Sequence, residues 1–204
     1  MTPMMGPEEY ITLLDWRRRV AALYAEVRER AARDPVDAHR VWRAGRDDLF
    51  RRHSQSPIPE RHRGSYRAVP CFDYDARFAF TAPIRGLRET LCEVETSGGR
   101  VTRFVRFGAV DLPIGALDVM WLDAYGGGLF LPFTDTTSGQ STYGGGRYLL
   151  DTVKGADLGV RGDDLVLDFN FAYHPSCAHD AKWMCPLAPA SNRLGVPVEA
   201  GERL

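Results

Sequence analysis

Apolar residues in the first quarter of the chain recur with a helical period. Tyr10, Leu13, Leu14, Val20, Leu23, Tyr24 and Val27 fall three and four residues apart, with arginines and glutamates between them. The spacing predicts a helix over residues 8–33. "RDPVD" interrupts it, and Pro35 after Asp34 suits the first turn of a second, side-chain-capped helix. That helix is expected to run to about Arg52, with Trp42, Leu49 and Phe50 as a narrow apolar stripe, and to end in "HSQSPIPERHRG".

From Tyr66 the period becomes two. "CFDYDARFAF" sets Phe72, Tyr74, Ala76, Phe78 and Phe80 against Asp73, Asp75 and Arg77. "ETLCEVETSGGRVTRFVRFGAV" reads as two strands around Ser-Gly-Gly, and "ALDVMWLDAYGGGLFLPF" as two more around Tyr-Gly-Gly-Gly. "GRYLLDTV" and "DDLVLDFNF" follow as further strands. Short strands with regular turn signals predict an antiparallel sandwich or barrel, and strand–helix alternation is missing. After Phe171 the chain is rich in proline and cysteine, which suits an irregular but packed tail. The expected class is α+β, mostly β: two N-terminal helices in residues 1–60, and a β-rich region with its tail in residues 61–204, together one folding unit.

Composition narrows the partners. The net charge is −1, from 26 basic and 27 acidic residues, which argues against a nucleic-acid footprint or a polybasic membrane anchor. Only Lys154 and Lys182 are lysines. No apolar run approaches the roughly 20 residues that span a bilayer, and the start lacks a secretory pattern. A cytoplasmic protein is expected, with Cys71, Cys92, Cys177 and Cys185 as thiols.

Three stretches carry candidate chemistry. In "PFTDTTSGQSTYGGGRY" hydroxyls and Asp135 precede three glycines and Arg147. Bared backbone N–H groups beside an arginine can hold an anion, or the glycines can let another element cross the chain. In "DFNFAYHPSCAHDAKWMCP", His174, Cys177, His179 and Cys185 are of metal-ligand type, though their spacing matches no standard zinc site. Cys177 could instead be a nucleophile, with a histidine as base and Asp168 or Asn170 to orient it. In helix two, Arg43, Arg46 and Asp47 read as a solvated face, with His53 at the helix end as a further catalytic candidate. No motif names a cofactor.

Read together, "WRAGRDDLFRRHSQSPI", "GGGLFLPFTDTTSGQSTYGGGRYL", "LDFNFAYHPSCA", "CPLAPASNRL" and "VPVEAGER" resemble domain-of-unknown-function family 1684, of bacteria and archaea. The resemblance runs from about Trp42 to Arg203. Asp135, Thr137, Gly139, Thr142, Tyr143, Asp168, Asn170, Cys177, Cys185, Asn192 and Glu202 match its pattern. At the positions of His174 and His179 the family usually has other residues, often Asn and an aromatic, which disfavours a four-ligand zinc site. "CPLAP", where Pro-Pro is usual, and Ser54 also depart from it.

The leading expectation is a small-molecule binding protein or enzyme with a pocket between segments 134–147 and 168–192. Its ligand-binding set would be Asp135, Thr137, Thr142, Tyr143, Arg147, Asp168, Asn170 and Asn192. A second reading makes the same residues a buried polar network in a non-catalytic module. A third is a hydrolase or transferase dependent on Cys177, with Asp168 and His53 as further catalytic candidates. Two geometric expectations accompany these: Cys177 and Cys185 lie together as buried, reduced thiols, and Arg147 is buried against Asp168 or Asp135.

Overall fold

A computed structural model describes residues 6–204; the first five residues, on which the expected lack of an export signal partly rests, lie outside the described part. Helices α1 (Pro7–Ala31) and α2 (Pro35–Arg52) form an antiparallel hairpin. Asp34 caps α2 by accepting a hydrogen bond from the Asp37 amide at 3.0 Å. The C-terminal half of α1 is the part that docks. Tyr24 and Val27 are buried, whereas Tyr10, Ile11 and Leu14 stay exposed. Tyr24 receives the indole N–H of Trp42 at 3.2 Å, joining the helices inside the core. A single turn, α3 (Glu60–Arg63), follows.

The first expected strand largely fails to form. Residues 71–75 are extended but join neither sheet, with Cys71 making only an isolated antiparallel bridge to Glu202, 76–78 make a 3₁₀ turn, and β1 spans only Ala79–Ala82. Asp75 caps that turn through the Arg77 amide. Asn170 takes the place of a partner strand, accepting from the Asp75 amide (2.8 Å) and donating to its carbonyl (2.9 Å). The strand expected over "DDLVLDFNF" stops early for the same reason. Asp168 accepts from the Asn170 amide at 3.0 Å and turns residues 169–171 into a 3₁₀ turn. Local side-chain acceptors compete with the ladder here, and they win.

The rest of the β pattern holds. β2 (Arg85–Glu95), β3 (Val101–Leu112), β4 (Gly115–Leu122), β5 (Leu129–Phe133) and β6 (Arg147–Asp151) form an antiparallel meander in that order. A second sheet has the order β1, β8 (Asp164–Asp168), β7 (Val160–Arg161). Among the described residues neither sheet closes into a barrel, so the sandwich form of the expectation is the one found. Phe133 of the large sheet meets Phe169 edge-on at 4.9 Å, and Phe80 of the small sheet meets the same ring at 6.0 Å. One apolar core runs through both sheets and both helices, from Val27 and Trp42 to Leu149 and Val198.

The tail crosses the large sheet and is held by backbone pairs. Tyr148 and Tyr173 exchange hydrogen bonds at 2.8 and 3.1 Å, and Leu194 donates to Thr134 at 2.8 Å. The glycines before β6 lie in a turn, not in a strand interior. Gly146 has φ +92°, and a Cβ there would stand 2.6 Å from the Phe133 carbonyl oxygen and 2.8 Å from the Ala188 methyl. A Cβ on Gly145 would strike Leu187 at 2.9 Å. What passes too close for side chains is the tail itself, at Leu187 and Ala188.

Candidate functional site

Segments 134–147 and 168–192 do converge, in a packed contact. Arg147 is 1% exposed at its side chain and pairs with Asp135 at 2.6 Å, not with Asp168. Its guanidinium also donates to the carbonyls of Val198 (2.8 Å), Ala200 and Glu202 (3.3 Å), and lies over the Phe133 ring. Asp135 in turn accepts from the amide and hydroxyl of Thr137, whose hydroxyl meets that of Thr142 at 2.9 Å. Asn192 bridges the Asp118 backbone and the Pro132 carbonyl. Asp168 accepts from Tyr74 (3.1 Å) and Asn170, and burial pushes its pKa up. All eight residues proposed from sequence as ligand-binding therefore have hydrogen-bond partners from the chain itself. Tyr143, the eighth, is half-buried beside Cys177, with its hydroxyl 3.6 Å from that sulfur.

Cys177 and Cys185 are free and buried and lie beside one another in the tail, as expected. His174 and His179 do not complete a metal site: among the described residues no three His, Cys, Asp or Glu side chains are grouped to hold an ion. Burial holds His174 at a pKa of about 4, so its ring is neutral at pH 7 and accepts from the Tyr143 amide at 3.3 Å. His53 stands elsewhere, in the α1–α2 seam. One of its nitrogens is 3.1 Å from Asp15, the other accepts from the Gln55 amide, and its ring abuts Trp16.

The roomiest cavities, of about 600 and 380 Å³, lie beside Arg43 and Tyr74 and beside Leu158 and Asp168; two smaller ones share Lys154. A half-enclosed cavity of about 60 Å³ is walled by Trp16, Tyr24, Arg46, Tyr148, Lys154 and Tyr173, with His174 and Ser176 at its edge. A second cavity, of about 190 Å³, is lined by Phe104, Leu122, Phe130, Val153 and Pro186, and again by Lys154 with Asp151. Lys154 belongs to both. Its ammonium is half-exposed, 3.2 Å from the buried Asp151 carboxylate and 5.9 Å from the Tyr148 ring centre. A row of aromatic rings joins the linings of the two cavities: Phe104 stacks on Phe130 at 4.9 Å, and Phe130 meets Tyr148 at 4.7 Å and Tyr148 meets Tyr173 at 5.7 Å, both edge-on.

Arg46 forms the inner wall. It is 11% exposed, pairs with Glu202 at 2.6–2.7 Å, and sits over Trp42, Phe50 and Tyr173. Glu202 also accepts from the His174 amide at 2.7 Å. Burial would raise the Glu202 pKa, but Arg46 and that amide outweigh it and leave the carboxyl below its ordinary value. Sequence reasoning missed this region because Arg46 reads as part of a solvated face and Lys154 as part of a turn. The scarcity of lysine was the one signal available.

Residues 64–203 match the model of the family described as "Protein of unknown function (DUF1684)". The chain belongs to that family. The match begins later than the resemblance suggested, so "WRAGRDDLFRRHSQSPI" lies before it. A solution NMR structure of an uncharacterized protein from gene locus rrnAC0354 of Haloarcula marismortui is similar, at 35% identity and a TM-score of 0.54, over 79% of this chain and 90% of that one. No curated protein matches. The smaller cavity straddles the edge of the DUF1684 match: Lys154, Tyr148, Tyr173 and His174 fall within it, while Trp16, Tyr24 and Arg46 come from the helices that precede it; the larger cavity lies wholly within it. No helix among the described residues is long and apolar enough to cross a membrane.

Proposed function

We propose that this protein binds a small amphipathic molecule carrying an anionic group, seated beside Lys154 between the large sheet and the tail. The observation that carries the reading is Lys154, placed where an apolar, aromatic-walled cavity of 190 Å³ meets a smaller cavity edged by polar groups. Ligand sites characteristically combine such walls with a few convergent polar groups. An apolar cavity of about 150 Å³ admits benzene, so a ring-sized ligand fits the larger space. The ammonium of Lys154 would take its carboxylate, sharing it with Asp151.

The Arg147–Asp135 network is then the frame of the site and not its ligand contact. The alternative, a non-catalytic module held by that network, draws support from the internal partners of Asp135, Thr137, Thr142, Arg147, Asn170 and Asn192. Benzoate separates the two. Titrated into labelled protein, it should shift amide resonances of β3, β5 and residues 151–156, and Lys154→Met should weaken binding about tenfold, one lost charge-assisted contact. Lys182→Met, at an exposed ion pair, is the control. Equal affinity in wild type and Lys154→Met, or shifts confined elsewhere, refutes the assignment.

A further inference from the structure

The two sulfurs in the tail form a second centre, independent of the Lys154 cavities. Cys177 sits on the 3₁₀ turn Ser176–Ala178 and Cys185 eight residues on, after a tight turn at residues 181–182. Both are held against the β2–β3 hairpin. The Ser97 amide donates to the Cys185 carbonyl at 2.9 Å, and the Cys185 amide donates to the Ser97 hydroxyl at 3.1 Å. The other two cysteines are built differently. Cys71 and Cys92 each reach only a backbone carbonyl, of Val69 and Thr90, and burial pushes the Cys71 thiol up to about 12, as for an inert thiol. Cys177 lies beside the Cys185 thiol and the Tyr143 hydroxyl, and these donors hold its pKa below the ordinary thiol value against the effect of burial, while the Ser97 hydroxyl donates to the Trp183 carbonyl at 3.0 Å. Cys185, donating to its neighbour, is held above that value.

We propose that Cys177 and Cys185 are a redox-active dithiol that reduces a small hydroperoxide, with Cys177 as the attacking sulfur and Cys185 as the resolving one. The Cys177 thiolate attacks the outer peroxide oxygen. An S–O bond forms, the O–O bond breaks, and the leaving alkoxide takes a proton from the Tyr143 hydroxyl, which recovers one from water. Tyr143 keeps that proton at neutral pH, because burial and the Cys177 hydrogen bond push its pKa up to about 12. The Cys185 thiol then attacks the sulfenic sulfur. The S–S bond forms, the S–O bond breaks, and the hydroxide leaves with the Cys185 proton as water. Two thiols and one hydroperoxide thus give one disulfide, one alcohol and one water, and a dithiol reductant reverses the change. The side chains of the two neighbouring thiols would move together to the S–S bond length of about 2.05 Å.

The probe is hydrogen peroxide added to the full-length, pre-reduced protein, with thiols counted after denaturation and linkages mapped by peptide mass spectrometry. The expected result is the loss of two thiols per peroxide, a Cys177–Cys185 cross-link, unmodified Cys71 and Cys92, and full recovery with dithiothreitol. Cys185→Ser should stop at a Cys177 sulfenic acid trapped by dimedone, and Cys177→Ser should abolish peroxide consumption, while Cys71→Ser/Cys92→Ser leaves it unchanged. Oxidation of Cys71 or Cys92 as fast as Cys177, or overoxidation of Cys177 without a cross-link in the wild-type chain, overturns the proposal. The wild-type mapping decides the matter even if a serine variant fails to fold.

Discussion

Replacing Arg147 with alanine tests the frame most directly. The side chain is 1% exposed and the Asp135 side chain 0%. Removing the guanidinium leaves that carboxylate buried, with only the Thr137 groups to satisfy it, and strips a donor from the carbonyls of Val198, Ala200 and Glu202. Breaking a buried pair by deleting one partner costs roughly 3–5 kcal/mol. The carbonyls would each add about 1–3 kcal/mol if they stayed buried, but a tail released from its anchor can turn them to water, so their full sum does not apply. The expected loss is about 4–5 kcal/mol, a large share of the roughly 5–15 kcal/mol that holds a domain folded. For a chain of this length that lowers the Tm by about 8–20 °C. Guanidinium melts followed by tryptophan fluorescence give the value. Arg147→Lys keeps the charge but not the forked reach to Asp135 and three carbonyls, so it should recover only part of the loss. Arg147→Met/Asp135→Asn should lose less than Arg147→Ala, because no unpaired charge remains. A midpoint for Arg147→Ala within about 0.5 kcal/mol of the parent refutes the reasoning, since that is the scale of an ordinary surface change.

Two further outcomes follow from the same geometry. Burial lowers His39 and His174 to about 4, against about 6.5 in an unfolded chain. Their contribution to stability is therefore complete above about pH 6.5 and is lost as pH falls toward 4, because the unfolded state binds more protons there. The two together give a slope of up to ~2.7 kcal/mol per pH unit within that window, and His174→Asn should remove about half of it in melts at pH 6.5 and 5; an unchanged slope would show that His174 titrates normally in the folded protein. Gly146→Ala should destabilise by about 1 kcal/mol or more, from a positive φ and a 2.6 Å approach to the Phe133 carbonyl; a neutral effect in the same melts would mean that Gly146 does not hold that φ against β5.

The architecture was legible wherever local pattern and tertiary structure agree. The helix hairpin follows from period and from Asp34–Pro35, and the meander from turn residues at regular intervals. Where the two disagree, the cause is a polar side chain acting at long range or against its own strand. "CFDYDARFAF" alternates well, yet Asn170 satisfies the Asp75 backbone from 95 residues away and no ladder is needed. The Arg147 carboxylate partner could be narrowed by charge and burial to Asp168 or Asp135, but choosing between them required knowing that Asp168 turns back on Asn170 and Tyr74. Arg46 misled because its partner lies 156 residues downstream. Periodicity marks which face of a helix is apolar; it does not report an arginine that a distant glutamate draws inward.

The link between Arg46 and Glu202 also sets a schedule for the chain. Synthesis runs from the N-terminus at roughly 5–20 residues per second, so Arg46 emerges about 8–30 s before the carboxylate that will neutralise it. Arg147 likewise precedes the three tail carbonyls it gathers. Throughout that interval α2 carries a cation bound for an apolar site, and the sheet lacks its crossing strap. The helices and the meander can form as they appear, but the native packing of this protein waits for residues 198–202.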